Sequence, residues 1–394
     1  MPGSRAERQW PAGRVAVLGI ITIAVYGSWF YSFGVLLDPI IADTGWSEGV
    51  LTSGFAASSL VAGFGAIAGG WLLDRRGSRI VFSLAAAVAL IAFLVASSAQ
   101  SAATFAVAGA VGGGALGALG FYHVTQTVAV RISPLAATRA IAVLTIWGAF
   151  ASAIFLPLSA WLVGEVGWRA TLRWTTLSAV ATLVVGAFVI NTKSDAGAGD
   201  GRHWAELRDA VRHPEVRRYV VAQGLVGIGV ATILVYQVPA MTAAGLSLTA
   251  ASFWAGARGF AQLGGRVPLM PIVGSLGVGG ALRLAFVSIS LGSLVLAVAG
   301  TPLLAGVFAA LAGFGIGASS PLTGMYARKL FGPVTLGTAM GLLSFVFLVV
   351  GSIGPAVAGW VATATGSRSI PVIGAAVVTL VAALVIKAPG SVSD

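Results

Sequence analysis

The sequence predicts an all-α membrane protein with twelve transmembrane helices in two six-helix pseudo-repeats. Three observations carry this: scarce charge, long apolar runs, and a likeness between the two halves. Charged residues make up 9% of the 394 residues, against roughly 25% in a soluble domain. Hydrophobic residues make up 57%, so too few charges remain to cover a soluble surface. Glycine is abundant, at 54 residues, as in membrane helices whose backbones approach closely.

A membrane-crossing helix needs about 20 apolar residues. On that criterion the chain divides into spans at 15–37, 50–73, 80–97, 103–130, 140–161, 170–190, 219–241, 250–273, 280–299, 303–326, 339–363 and 370–386. The first run is too long for a signal-peptide core and no small-residue cleavage site follows it, so it is read as a retained helix. Residues 191–218 form the one long polar connection. They separate a six-helix bundle at 1–190 from another at 219–394, as a cytoplasmic linker. Trp204, Leu207 and Val211 recur there at helical spacing, which predicts a short amphipathic helix at the membrane surface.

Orientation follows from the basic residues. With the N-terminus inside, eighteen of the 23 Lys and Arg fall on cytoplasmic segments. Arg169, Arg173 and Arg368 lie outside, and Arg258 and Arg266 fall within span 8. Both termini are therefore expected in the cytoplasm. The net charge of +11 belongs to this pattern and not to a nucleic-acid partner. The halves align as GWSEGVLTSGF at 45–55 with GLSLTAASFWA at 245–255, and Gly77 then falls on Gly277. Parallel repeats of this kind place a substrate site near the bilayer midplane.

Between spans 2 and 3 the chain reads Gly70-Trp-Leu-Leu-Asp74-Arg75-Arg76-Gly77-Ser78-Arg79. Gly77 permits a tight turn, Gly70 would permit close helix packing, and Asp74 can pair with a base or a helix N-terminus. This loop resembles the cytoplasmic signature of the major facilitator superfamily, and the resemblance implies that fold over the whole chain, with the loop serving gating and packing. Shorter segments resemble the monocarboxylate transporter family of that superfamily. They are Tyr26-Gly-Ser-Trp-Phe-Tyr-Ser-Phe-Gly-Val35 in span 1, Gly77-Ser-Arg-Ile-Val81, Gly167-Trp168-Arg169, and Gly259-Phe-Ala-Gln262-Leu-Gly-Gly-Arg266 in span 8. The family's animal members carry an aspartate where this chain has Gln262, and an acid where it has Tyr26.

Arg266 is informative without any family. A charge at membrane depth must face a partner or a water-filled cavity. No acidic residue lies in the middle of any span. A guanidinium fork matches a carboxylate in two parallel hydrogen bonds, whereas the competing reading has Arg266 snorkelling to the surface. Arg258, eight residues earlier, is about 80° away around the helix; it would share the cavity or belong to an external gate. The family resemblance points to Tyr122 as a substrate contact. His123 is the one histidine within a span; it would handle protons or bond between helices. Tyr31, Tyr236, Gln237 and Ser344 are further cavity-lining candidates, each also readable as packing.

The chain has no cysteine and three scattered histidines, so neither a metal site nor a cofactor is expected. No nucleotide loop or catalytic constellation appears, which argues against an enzyme. The expected function is secondary transport of a small monocarboxylate, a lactate- or pyruvate-like anion, coupled to protons by resemblance, with Arg266 holding the carboxylate. The alternatives are a drug or organic-anion exporter of the same superfamily, and a membrane sensor that does not transport. The expected setting is a monomer in the lipid bilayer of a bacterial inner membrane, binding no nucleic acid.

Overall fold

The computed structural model describes residues 11–192, 212–331 and 336–386, and among these there is helix but no strand. The first pass joins α1 (Ala12–Val25) to α2 (Ser32–Thr44) through a six-residue π-helix, Tyr26–Tyr31. There follow α3 (Glu48–Arg76), α4 (Ser78–Ser97), and a fourth pass split into α5 (Ala102–Gly120) and α6 (Tyr122–Ile132). The helical stretch α7 (Ala137–Val189) holds two passes divided at Gly167, where φ is 74°. Then come α8 (Pro214–Ala243), α9 (Leu248–Arg266), α10 (Leu269–Leu296), α11 (Pro302–Phe331), α12 (Leu336–Gly351), α13 (Ile353–Thr365) and α14 (Ser369–Val385).

Among the described residues nine helical stretches, some of them joining two helices across a break, are long and apolar enough to cross a membrane. Dividing α7 at Gly167, counting α9 with the start of α10 as a pass, and adding the 17-residue α14 gives twelve. The passes are mostly longer than the sequence predicts, because helices continue past the apolar stretch into the polar ends. The second runs 48–76 against 50–73, and α8 begins at Pro214, inside the segment expected to be linker. The expected surface helix around Trp204 lies outside the described residues.

Local chemistry sets the ends. Ser101 and Ser247 accept from the backbone N–H groups three residues on, Thr104 and Ala250, and so cap α5 and α9. Pro214 occupies the first turn of α8, where no N–H is needed. Gly45 closes α2 in the left-handed conformation that a side chain disfavours. Gly77 and Gly277, the pair aligned by the repeat, adopt the same backbone: φ 82°, ψ 173° and φ 68°, ψ 169°.

Contacts divide the chain into two compact units. One holds residues 1–46 and 57–198; the other holds 47–56 and 199–394. In the first unit Trp29 is wholly buried and its indole donates to Ser58 Oγ at 3.0 Å. The glycines of α5 make this possible: a Cβ at Gly109 would come within 2.9 Å of the Trp29 ring, and one at Gly113 closer still. In the second unit α9 lies against α11 through Gly265, Gly313 and Gly317, each facing backbone of the other helix. Small residues let membrane helices approach this way.

The loop after α3 corrects one expectation. A Cβ at Gly70 would meet nothing within 4 Å, so Gly70 makes no close packing contact. Gly69 does, facing the Ala118 carbonyl oxygen at 2.5 Å, and Gly65 faces the Ala118 Cβ at 2.8 Å. Asp74 forms an ion pair with Arg131 in the last turn of α6. Arg75 lies over the Trp71 ring at 4.6 Å, and Arg79 over Phe188 at 5.6 Å.

Candidate substrate-binding site

In the first unit two irregular segments meet. The π-helix is one; Gly27 lets it approach α7, since a Cβ there would strike the Phe155 ring. The other is the break between α5 and α6 at Phe121, whose backbone is extended. The Phe121 ring stacks on Tyr26 at 3.9 Å with a 6° interplanar angle, and Tyr122 tilts against Tyr26 at 5.3 Å. Irregular backbone at membrane depth is tolerated where protein buries it or a cavity lines it.

The predicted residues of this unit fall around that break. Tyr122 is the first residue of α6, half-buried, and Gly148 leaves the space that its hydroxyl fills. His123 Nε2 lies 2.9 Å from the Ala118 carbonyl oxygen, spanning the break. This partner ties His123 to its own pass. Tyr31 ends the π-helix, half-buried. The roles of Tyr26 and Phe121 were not legible: an aromatic in a membrane helix ordinarily signals packing.

In the second unit span 8 reads differently in three dimensions. Helix α9 ends at Arg266, but the pass continues through the first residues of α10 to Gly277. The interruption at Val267–Pro268 follows from Pro268 and Pro271, which cannot donate backbone hydrogen bonds. Arg258 therefore lies ten residues, about 15 Å, from the start of the pass at Leu248. Arg266 lies ten residues, about 15 Å, before its end at 276. Both arginines are deep, and they flank the middle.

Their surroundings differ. Arg258 is 0% exposed, and its Nε donates to Gln237 Oε1 at 2.8 Å. Arg266 is half-buried, and its Nε donates to the Gly317 carbonyl oxygen at 3.4 Å. Gln262, one turn earlier, is buried beside Gly317. Ser344 is exposed on α12. The structure thus joins Arg258 to Gln237 and sets Arg266 on the glycine seam of α9 and α11.

Tyr236 takes part in a cluster the sequence did not reveal. Its hydroxyl donates to Glu48 Oε1 at 2.7 Å, and Arg368 Nη2 pairs with Glu48 Oε2 at 3.1 Å. A signal for this pair exists in the sequence: residues 216–393 contain no Asp or Glu, so any carboxylate partner of Arg368 must come from elsewhere in the chain. Among the described residues no group of His, Asp and Glu could hold a metal ion.

Comparison with known proteins adds to this picture. The model of the family described as "Major Facilitator Superfamily" matches residues 18–308. Monocarboxylate transporter 13 of Rattus norvegicus is 25% identical over 349 residues, covering 87% of this chain and 78% of the relative. Among solved structures, nucleoside transporter NupG superposes with a TM-score of 0.75 at 13% identity, covering 95% of this chain and 97% of that one. D-xylose-proton symporter superposes with a TM-score of 0.68 at 15% identity, covering 94% and 95%. A bacterial homologue of the human lysosomal transporter Spinster, inward-facing and occupied, gives 0.74 at 14% identity, covering 98% and 97%. At these identities the structural likeness speaks for the fold.

Proposed function

We propose a cargo for this chain, which belongs to the Major Facilitator Superfamily and is a multi-pass membrane transporter, not an enzyme. The cargo is a small monocarboxylate of the lactate or pyruvate kind, moved together with a proton. Arg266 receives the carboxylate through its guanidinium fork. The carrying observation is the depth of Arg266, about 15 Å inside its pass and beside a break in the helix. A guanidinium held there draws an anion. The 25% identity to a monocarboxylate transporter supports the same class.

Proton coupling has a physical rationale. Carrying one negative charge across the membrane couples transport to the potential at about 2.3 kcal/mol per 100 mV. A proton moved with the anion cancels that charge. Transport proceeds by alternating access, the site opening to one side of the membrane and then to the other. The protein acts as a monomer in a bacterial inner membrane with both termini in the cytoplasm.

Proteoliposomes test this directly. Labelled lactate should enter saturably under an inward proton gradient, with unlabelled lactate and acetate competing and neutral lactamide not competing. Arg266→Lys should lower uptake at least about ten-fold despite retaining charge, because an ammonium lacks the two-pronged donor geometry. Wild-type uptake by a correctly inserted Arg266→Lys protein would remove Arg266 from the site.

A further inference from the structure

We propose that Glu48 is the proton-binding group that couples transport, acting through a latch with Arg368 and Tyr236. The inference rests on the proton-coupled reading above and supplies the group that reading lacks. No other carboxylate among the described residues meets this combination of partners. The Glu48 side chain is 12% exposed and that of Arg368 is 19% exposed. Arg368 presents Nη2 at 3.1 Å and Nε at 3.3 Å to Glu48 Oε2, while its Nη1 donates to the Pro239 carbonyl oxygen at 3.4 Å. Tyr236, wholly buried, donates to the other carboxylate oxygen.

This carboxylate sits at a particular place in the chain. Glu48 opens α3, a single continuous helix. The first turns of that helix, within 47–56, cluster with the second unit, and the remainder clusters with the first. Around Glu48 the same turns are pinned by Gly49 N–H to Thr363 Oγ1 at 3.2 Å and by Trp360 Nε1 to Ser53 Oγ at 3.1 Å. The charged and titratable groups facing Glu48 are Arg368, from the turn before α14, and Tyr236, from α8. Helix α13 contributes Gly359, Trp360 and Thr363, none of which titrates.

The step balances simply. A proton from solvent binds a Glu48 oxygen and neutralises it. Arg368 then loses its counter-charge, and Tyr236 faces a neutral carboxyl. The remaining contacts of the turn are neutral hydrogen bonds, each weaker than the charge-assisted ones. Protonation therefore loosens the first turns of α3 from α8, α13 and α14, and deprotonation re-forms the latch. On the expected topology this end of α3 faces outward, so external protons set its state.

Two readouts test the proposal, and the absence of native cysteine makes the first clean. In the full-length protein in lipid, Ser53→Cys should react with an impermeant maleimide faster on acidification once every rate is divided by that of the same cysteine in the unfolded protein at the same pH, which removes the thiolate's own pH dependence. With Glu48→Gln added, labelling at neutral pH should rise by about five- to ten-fold and lose its pH dependence. This readout needs no substrate, so it stands even if lactate proves not to be the cargo. For the second, Glu48→Gln should abolish proton-driven lactate accumulation while keeping lactate exchange. Unchanged pH dependence of labelling in the Glu48→Gln background would overturn the latch. Wild-type accumulation under a proton gradient in that variant would overturn Glu48 as the coupling group. A well-inserted Arg368→Gln variant guards against misfolding: it should reproduce the raised labelling, and failure to do so also counts against the proposal.

Discussion

Replacing Gly317 by alanine probes the seam that carries Arg266. A Cβ built at Gly317 lies 2.6 Å from the Gln262 Cα, and nearer still to the Gln262 carbonyl oxygen. Carbon–carbon contact is comfortable only at about 3.5–4.0 Å. The methyl therefore forces α9 and α11 apart by about 1 Å, and rigid backbone on both sides cannot turn aside. Overpacking of this sort typically costs about 1–3 kcal/mol. Helix separation also lengthens the bond from Arg266 to the Gly317 carbonyl, already 3.4 Å. A shift of about 1 Å at a positioned group can cost on the order of 100-fold in rate. Gly264, on the facing helix α9, is the control, since a Cβ there meets nothing within 4 Å. Gly264→Ala should leave stability unchanged or raise it by about 0.5–1 kcal/mol, the gain of alanine over glycine in a helix. Equilibrium unfolding in mixed detergent micelles gives the stabilities, and proteoliposome uptake gives the rate. If Gly317→Ala proves as stable as Gly264→Ala, the close approach of α9 and α11 is not a feature of the protein in a membrane.

Three other outcomes follow from the loops and ends. Asp74→Asn removes the charge paired with Arg131 and should lower the maximal rate while leaving KM near its original value; a large rise in KM at an unchanged maximal rate would deny it a gating role. Gly77→Ala and Gly277→Ala place a side chain at φ 82° and 68° and should each destabilise by roughly 1–3 kcal/mol in thermal or detergent unfolding, with neutral effects refuting the positive-φ turns. A cysteine placed at residue 200 should resist an impermeant external reagent in intact cells and react after the membrane is opened, as the basic-residue asymmetry requires.

The architecture was legible because burial in lipid leaves a coarse, strong signature: long apolar runs, charge confined to their ends, and glycine at the turns. Even the repeat could be read, and Gly77 and Gly277 share a backbone conformation. Interruptions within passes were less legible. Spans 1, 4, 8 and 11 read as continuous apolar runs, yet each is broken, at Tyr26–Tyr31, Phe121, Val267–Pro268 and Ser352. Pro268 and Pro271 stand at the third break, but nothing in the residue types of YGSWFY announces a π-helix. The candidate site was half legible. The sequence identified Arg258 and Arg266 because a charge in lipid is costly wherever it sits. It missed Glu48, which looked like an ordinary loop acid until the fold brought Tyr236 and Arg368 onto it from 188 and 320 residues away. Gly70 failed for a related reason: which of two adjacent glycines faces a neighbour depends on helix rotation, and Gly69 won.

The π-helix at Tyr26–Tyr31 has a consequence for how the first pass tolerates length change. A single-turn π segment is an α-helix with one surplus residue, its hydrogen bonds reaching five positions back instead of four. In an ordinary helix, deleting a residue swings everything beyond it by about 100° and turns buried faces toward lipid. Within Tyr26–Tyr31 a deletion instead absorbs the surplus, and Ser32–Thr44 keeps its facing while only the local ring pattern of Tyr26, Trp29 and Phe30 is rewritten. The first pass carries one residue of slack, and it is stored beside the aromatic stack on Phe121.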